Sequence, residues 1–160
     1  MLTNHRSRGA LIASAAVLAT LASALAPTSA SHAAQAKGPL VSTRATSLGR
    51  ILVDRHGHTL YLLEKDKNGK SACSGACATN WPPLLTKGTP KGSGGVKSSL
   101  LGTTKRSDGT TQVTYNKHPL YRFKGDANKV GATKGEGLNA FGAEWYVVGT
   151  NGKKIEKKGS

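Results

Sequence analysis

The chain has 160 residues, a formal net charge of +15 and only 5% aromatic residues. That length suits one domain. The charge favours polyanionic partners over cationic ones, and so few aromatics argue against a module that binds nucleic acid by stacking on its bases.

Residues 1–36 have the layout of a secretory signal peptide. A polar start with Arg6 and Arg8 leads into the Ala-rich run "GALIASAAVLATLASALA", and Ala34-Gln35-Ala36 supplies a small-x-small cleavage pattern. Ser and Thr interrupt the apolar run and Pro27 ends it, which is marginal for a membrane span of about 20 apolar residues. The alternative is an uncleaved N-terminal anchor. Ser7 separates the two arginines, so no twin-arginine signal is present. No Cys stands near the cleavage point to take a lipid. The mature protein is expected outside the cell or at the cell envelope. From Lys37 onward it keeps 21 of the 23 Lys and Arg, all except Arg6 and Arg8, against 8 Asp and Glu.

Residues 37–47, polar and small, read as a flexible leader. A two-repeat domain is expected over residues 48–150, with a charged, frayed tail at 151–160. In the first repeat, about 48–85, "RILVD" reads as a strand and "RHGH" as a turn in which Gly57 is free to take positive φ. Thr59, Tyr61 and Leu63 then share one face of a return strand. "ACATN" makes one helical turn before Trp81, stopped by Pro82. Residues 86–99, rich in Gly, Lys and Ser, read as an exposed loop. The second repeat, about 100–150, has a strand through Val113 and Tyr115, a turn at Asn116-Lys117 and a return strand with Tyr121 and Phe123. Pro119, which lacks an N–H, belongs at the edge of that strand. "WYVV" is a further strand.

The halves echo each other. "HTLYLLEKD" begins at His58 and "HPLYRFKGD" at His118, so that at an offset of 60 Val53 meets Val113, Tyr61 meets Tyr121 and Asp66 meets Asp126. The expected fold is mainly β: a small single domain of two tandem repeats, each containing a β-hairpin, with pseudo-two-fold symmetry and short helical turns.

These paired phrases, with "CSGACATNWPPL", "LLGTTKRSDGTTQVTYNKHPLY" and "GLNAFGAEWYVV", resemble a bacterial secreted-repeat family of unknown function. Its members are described as predicted lipoproteins with a Y-x-(F/W/Y)-x-x-D motif. Tyr121, Phe123 and Asp126 match the motif in full. Tyr61 and Asp66 match it in the first copy, where Leu63 replaces the aromatic. The resemblance implies a secreted or envelope-attached protein of repeat architecture and implies no activity.

Few residues suggest chemistry. Cys73 and Cys77, the only cysteines in an exported chain, favour a disulfide that pins the turn before Trp81. The other role for them is as a redox pair or as soft-metal ligands. His56 and His58, with His118 in the second copy, are candidate ligands for copper or zinc. The fullest metal set would join His58 and His118 to both thiols. Against it, the histidines suit turn and strand-entry positions, and the compartment favours oxidised sulfur. Asp66 and Asp126 suit turns that accept backbone N–H groups, and Tyr61 and Tyr121 suit the core. No nucleophile elbow, phosphate loop or H-E-x-x-H helix occurs. The expectation is a non-catalytic module with no catalytic residue and no cofactor. It would meet anionic wall or envelope polymers through its cationic surface and bind no specific nucleic acid. The alternative is a copper, zinc or redox protein.

Overall fold

The computed structural model describes residues 40–156. The expected signal peptide, residues 37–39 and residues 157–160 lie outside them. The elements are β1 (Leu40–Thr46), β2 (Gly49–Asp54), β3 (Tyr61–Leu63), α1 (Ala76–Asn80), β4 (Lys91–Gly92), β5 (Leu101–Lys105), β6 (Thr111–Tyr115), β7 (His118–Pro119), β8 (Leu138–Ala140) and β9 (Ala143–Val147). They form three small sheets, ordered β2-β1-β4, β3-β9-β8 and β5-β6-β7.

Each repeat opens on a hairpin. β1 and β2 pair antiparallel from Val41↔Asp54 to Thr46↔Gly49, and β5 and β6 from Leu101↔Tyr115 to Lys105↔Thr111. The first hairpin corrects the expected flexible leader over 37–47. Residues 40–46 are a strand, held by the backbone ladder to β2 and by a parallel edge contact with β4. Thr46 closes its turn, its Oγ1 donating to the Gly49 carbonyl (3.0 Å) and accepting from the Leu48 N–H (3.2 Å). Pairing of main-chain groups, which side-chain composition does not display, makes this strand.

A second turn follows in each copy. In the later copy it has two residues, Asn116 and Lys117, both at positive φ (49° and 66°), the geometry that matches strand twist in a tight hairpin. In the earlier copy the carboxylate of Asp54 organises the turn, with Oδ1 accepting from the N–H groups of His56 (2.8 Å) and His58 (3.0 Å). Leu60 N–H bonds to Leu52 in one copy and Leu120 N–H to Val113 in the other. The first turn is therefore one residue longer. Before the turn the copies align at an offset of 61, so Leu52, not Val53, is the counterpart of Val113.

The two copies interlock about a pseudo-two-fold axis at Tyr61 and Tyr121, whose backbones exchange both hydrogen bonds (2.8 and 3.0 Å). Leu84, leaving the first copy, bridges Leu120 and Val113 of the second. Val148, leaving the second, bridges Leu60 and Leu52 of the first. β3 pairs with β9, Leu63 opposite Trp145. In the mate position Pro82 and Pro83 cannot donate, so the ladder shrinks to the Pro83↔Tyr121 bridge and the bond from Arg122 N–H to the Pro82 carbonyl.

The core lies on both faces of this central layer. Tyr61, Leu63, Trp81, Tyr121 and Trp145 pack on one side with the two cysteines, and Leu60, Leu62, Leu84, Val113, Leu120 and Val148 on the other. β3 is buried on both faces, so Thr59, Tyr61 and Leu63 form only one of its two inward sets. The loop 86–99 is tied down in part, through β4, the Ser98–Leu100 3₁₀ turn and the bond from Lys97 N–H to the Tyr115 hydroxyl (2.9 Å). The expected frayed tail also needs correction. Residues 148–155 double back on β9 through the Val148↔Lys154 bridge, with Ile155 N–H on the Val147 carbonyl (2.9 Å) and the Ile155 side chain against the core. Asn151 and Gly152, at φ 75°, supply the turn, and Ile155 supplies the apolar anchor.

Candidate functional site

The motif residues come together by exchange between copies. Tyr61 stands on β3 and Tyr121 on the bridge opposite it, and in each copy the Asp lies five residues on, aimed at the other half. The hydroxyl of Tyr61 donates to Asp126 Oδ2, and that of Tyr121 to Asp66 Oδ2, both at 2.7 Å. The second oxygen of each carboxylate accepts a backbone N–H, from Ala72 for Asp66 (2.7 Å) and from Lys134 for Asp126 (2.9 Å). Asp66 and Asp126 thus hold their turns, as the sequence indicated, and also clamp the opposite repeat.

Burial dominates the acidity of these groups. Both tyrosines are fully buried, and burial next to a carboxylate pushes each phenol far above its ordinary range. Burial also raises Asp66 and Asp126, opposed by the hydrogen bonds that each accepts. The phenols stay protonated as donors, closed off from solvent.

Around the clamp the aromatics mirror each other. Trp81 and Trp145 stack at 3.9 Å between ring centroids, 3° from parallel. Tyr61 meets Trp81 edge-on at 80° and Tyr121 meets Trp145 at 86°. Phe123 stacks on Trp81 (4.1 Å); in the mate position Leu63 faces Trp145 across the ladder. The aromatic missing from the first copy therefore leaves an aliphatic side chain in the same packing role. Gly135 closes the site, since a Cβ there would lie 2.7 Å from the Trp81 ring and 2.9 Å from Tyr61.

Cys73 and Cys77 are joined in a disulfide with Cα atoms 5.3 Å apart. The bridge ties the first turn of α1 to the segment before it, and the helix ends with Trp81 N–H on the Cys77 carbonyl (2.8 Å). Joined in this way, the sulfurs are not thiolate ligands. Arg106, a residue that sequence reasoning missed, is buried beside the bridge. It donates to the Cys73 carbonyl (2.7 Å), to Ser71 Oγ and to Gln112 Oε1 (both 2.8 Å). Its place in "TTKRSDG" resembles that of any exposed turn cation, and no local signal marks it.

The histidines lie apart from the clamp. The rings of His56 and His58 are neighbours, 5.7 Å apart. His58 Nδ1 lies 3.2 Å from Asp54 Oδ2, the oxygen that also accepts from Arg122 Nε at 2.6 Å. Burial alone would raise Asp54. The N–H groups of His58 and His56 and the Arg122 guanidinium outweigh it and hold the carboxyl below its usual range. His118 starts β7 opposite Tyr115, and burial lowers its pKa. Among the described residues, no three His, Cys, Asp or Glu side chains converge closely enough to hold a metal ion.

Charge is sorted between inside and outside. Of the eight carboxylates, Asp54, Asp126 and Glu136 are buried and Asp66 is half-buried, all engaged by hydrogen bonds inside the domain. Among the described residues only one cation, Arg106, is buried; Arg122 and Lys154 are half-buried, and the other Lys and Arg are exposed. No helix among the described residues is long and apolar enough to cross a membrane.

No curated protein and no solved structure matches the chain. Residues 42–85 and 102–149 each match the profile of one family, and together they make up more than half of the sequence. The two matched segments coincide with the two interlocked copies: the chain belongs to the family described as a secreted repeat of unknown function.

Proposed function

We propose that the protein is a non-catalytic binding module of the cell envelope or extracellular space whose cationic surface meets anionic polymers. The sorting of charge carries this reading. Because half of the carboxylates are spent inside the fold, the solvent-facing surface is more positive than the net charge alone indicates. Tyr61 and Tyr121, whose phenols burial shifts far from their ordinary range, and their acceptors Asp126 and Asp66 are engaged in holding the repeats together, and this favours binding over acid–base chemistry.

Retention of the purified protein on an anionic polysaccharide or wall polymer is expected to weaken steeply as salt rises through about 0.1 M, where the screening length is about 10 Å. A salt-titrated co-sedimentation assay reads this directly. Retention that ignores salt, or no retention at low salt, removes the proposal.

A further inference from the structure

Leu85 is 44% exposed although its backbone is bridged to the buried Gln112. It lies in a groove of about 740 Å³ that also contains Arg55, Lys87, Lys105, Thr110 and Thr111. A second basin of about 520 Å³ shares Thr86, Lys87 and Thr111 with the first and continues past Thr103 and Ser98. The two adjoin at these shared residues, the first forming an open channel around Leu85. Cations and hydroxyls line it, and no carboxylate does. Asp108, on the adjacent turn, is taken up by Arg106 and Thr110.

The pseudo-symmetry shows why this channel is open. Leu85 bridges Gln112 as Gly149 bridges Ile51, so the mate of the groove lies where the second copy ends. There Asn116 occupies the place that Arg55 takes in the first copy. The returning tail covers that place: Asn116 Nδ2 donates to the Gly152 carbonyl (3.2 Å), and Gly152 sits so close to Asn116 that a Cβ would clash. The tail fills one seat with main chain. The other seat, at the end of the first copy, keeps an uncovered apolar side chain among lysines and threonines.

We propose that this channel is a binding site for an anionic oligosaccharide. Lys87 and Lys105 would meet the acidic groups, the threonines would exchange hydrogen bonds with sugar hydroxyls, and Leu85 would pack on the C–H face of a ring. Without an aromatic side chain in the lining, the channel offers no platform for a nucleic-acid base. This inference rests on the polyanion-binding reading and locates it.

The test is titration of the full mature chain with oligogalacturonate of defined length. The groove variant Lys87→Ala/Lys105→Ala is set against Lys70→Ala/Lys129→Ala, which removes the same charge from exposed positions elsewhere. The groove pair is expected to weaken binding about tenfold, two exposed ionic contacts being worth about one such factor, while the control pair changes it little. Equal weakening by both pairs would overturn the groove and leave the diffuse-charge reading standing. Absence of binding by the unmodified protein would overturn both. Single-stranded DNA of matched charge competing as well as the oligosaccharide would overturn the carbohydrate assignment.

Discussion

Tyr61 and Asp66, five residues apart in one motif, never bond to each other; each reaches across the axis to the other repeat. Replacing Tyr61 with Phe leaves Asp126 Oδ2 without its buried donor, at a cost of about 1–3 kcal/mol at neutral pH. The cost depends on pH, and its sign follows from linkage. Asp126 titrates above its unfolded value of 3.8, raised mainly by burial and held back by the Tyr61 hydroxyl. The stability tied to it is present below pH 3.8 and is lost as pH rises through the folded value. Without the hydroxyl the folded value rises further and more is lost. The difference between wild type and Tyr61→Phe is therefore expected to be largest near neutrality and to shrink as pH falls through the raised pKa. Paired melting curves across that range check it, and a difference independent of pH would remove the charged-acceptor account. The recurrence of Tyr and Asp was legible in the sequence because it is a spacing. The exchange was not, because two copies that clamp themselves and two that clamp each other have the same spacing. Arg106, Gly135 and the bond from Arg122 to Asp54 were hidden for a related reason: each joins residues tens of positions apart.

Among the elements, the short α1 works as a mount for Trp81. The disulfide ties its first turn, the Arg106 guanidinium holds the carbonyl of Cys73, and Trp81 itself lies between Trp145 and Phe123. Trp81→Ala is expected to cost about 3–5 kcal/mol, the range for removing a large buried aromatic. It is also expected to abolish the near-ultraviolet circular dichroism of the coupled indoles. Chemical denaturation and the near-ultraviolet spectrum read the two effects separately. The helical turn, the "WYVV" strand and the hairpin turns were legible because Pro, Gly and β-branched residues punctuate them. β1 was not: "LVSTRAT" carries little apolar signal, its burial is confined to Val41 among the residues described, and partner strands hold it. The returning tail escaped notice because Lys and Glu surround its single apolar anchor, Ile155.

At the scale of the molecule, the repeats are halves of one folding unit. Leu84 completes the backbone pairing of the second copy and Val148 that of the first, so each half alone leaves strand edges and core positions open. Residues 40–85 and 101–156, produced separately, are expected to be unfolded by circular dichroism and to regain the spectrum of the intact domain when mixed. Independent folding of either half would contradict the interlocked architecture.

The position of the disulfide adds a consequence. Cys73–Cys77 closes within the first repeat, so no covalent bond other than the connecting loop 86–99 joins the halves. A protease cutting after Lys87, Lys91 or Lys97, all exposed, would leave a nicked protein that keeps its shape. Its integrity would then obey mass action: dilution would separate the fragments, and concentration would restore them.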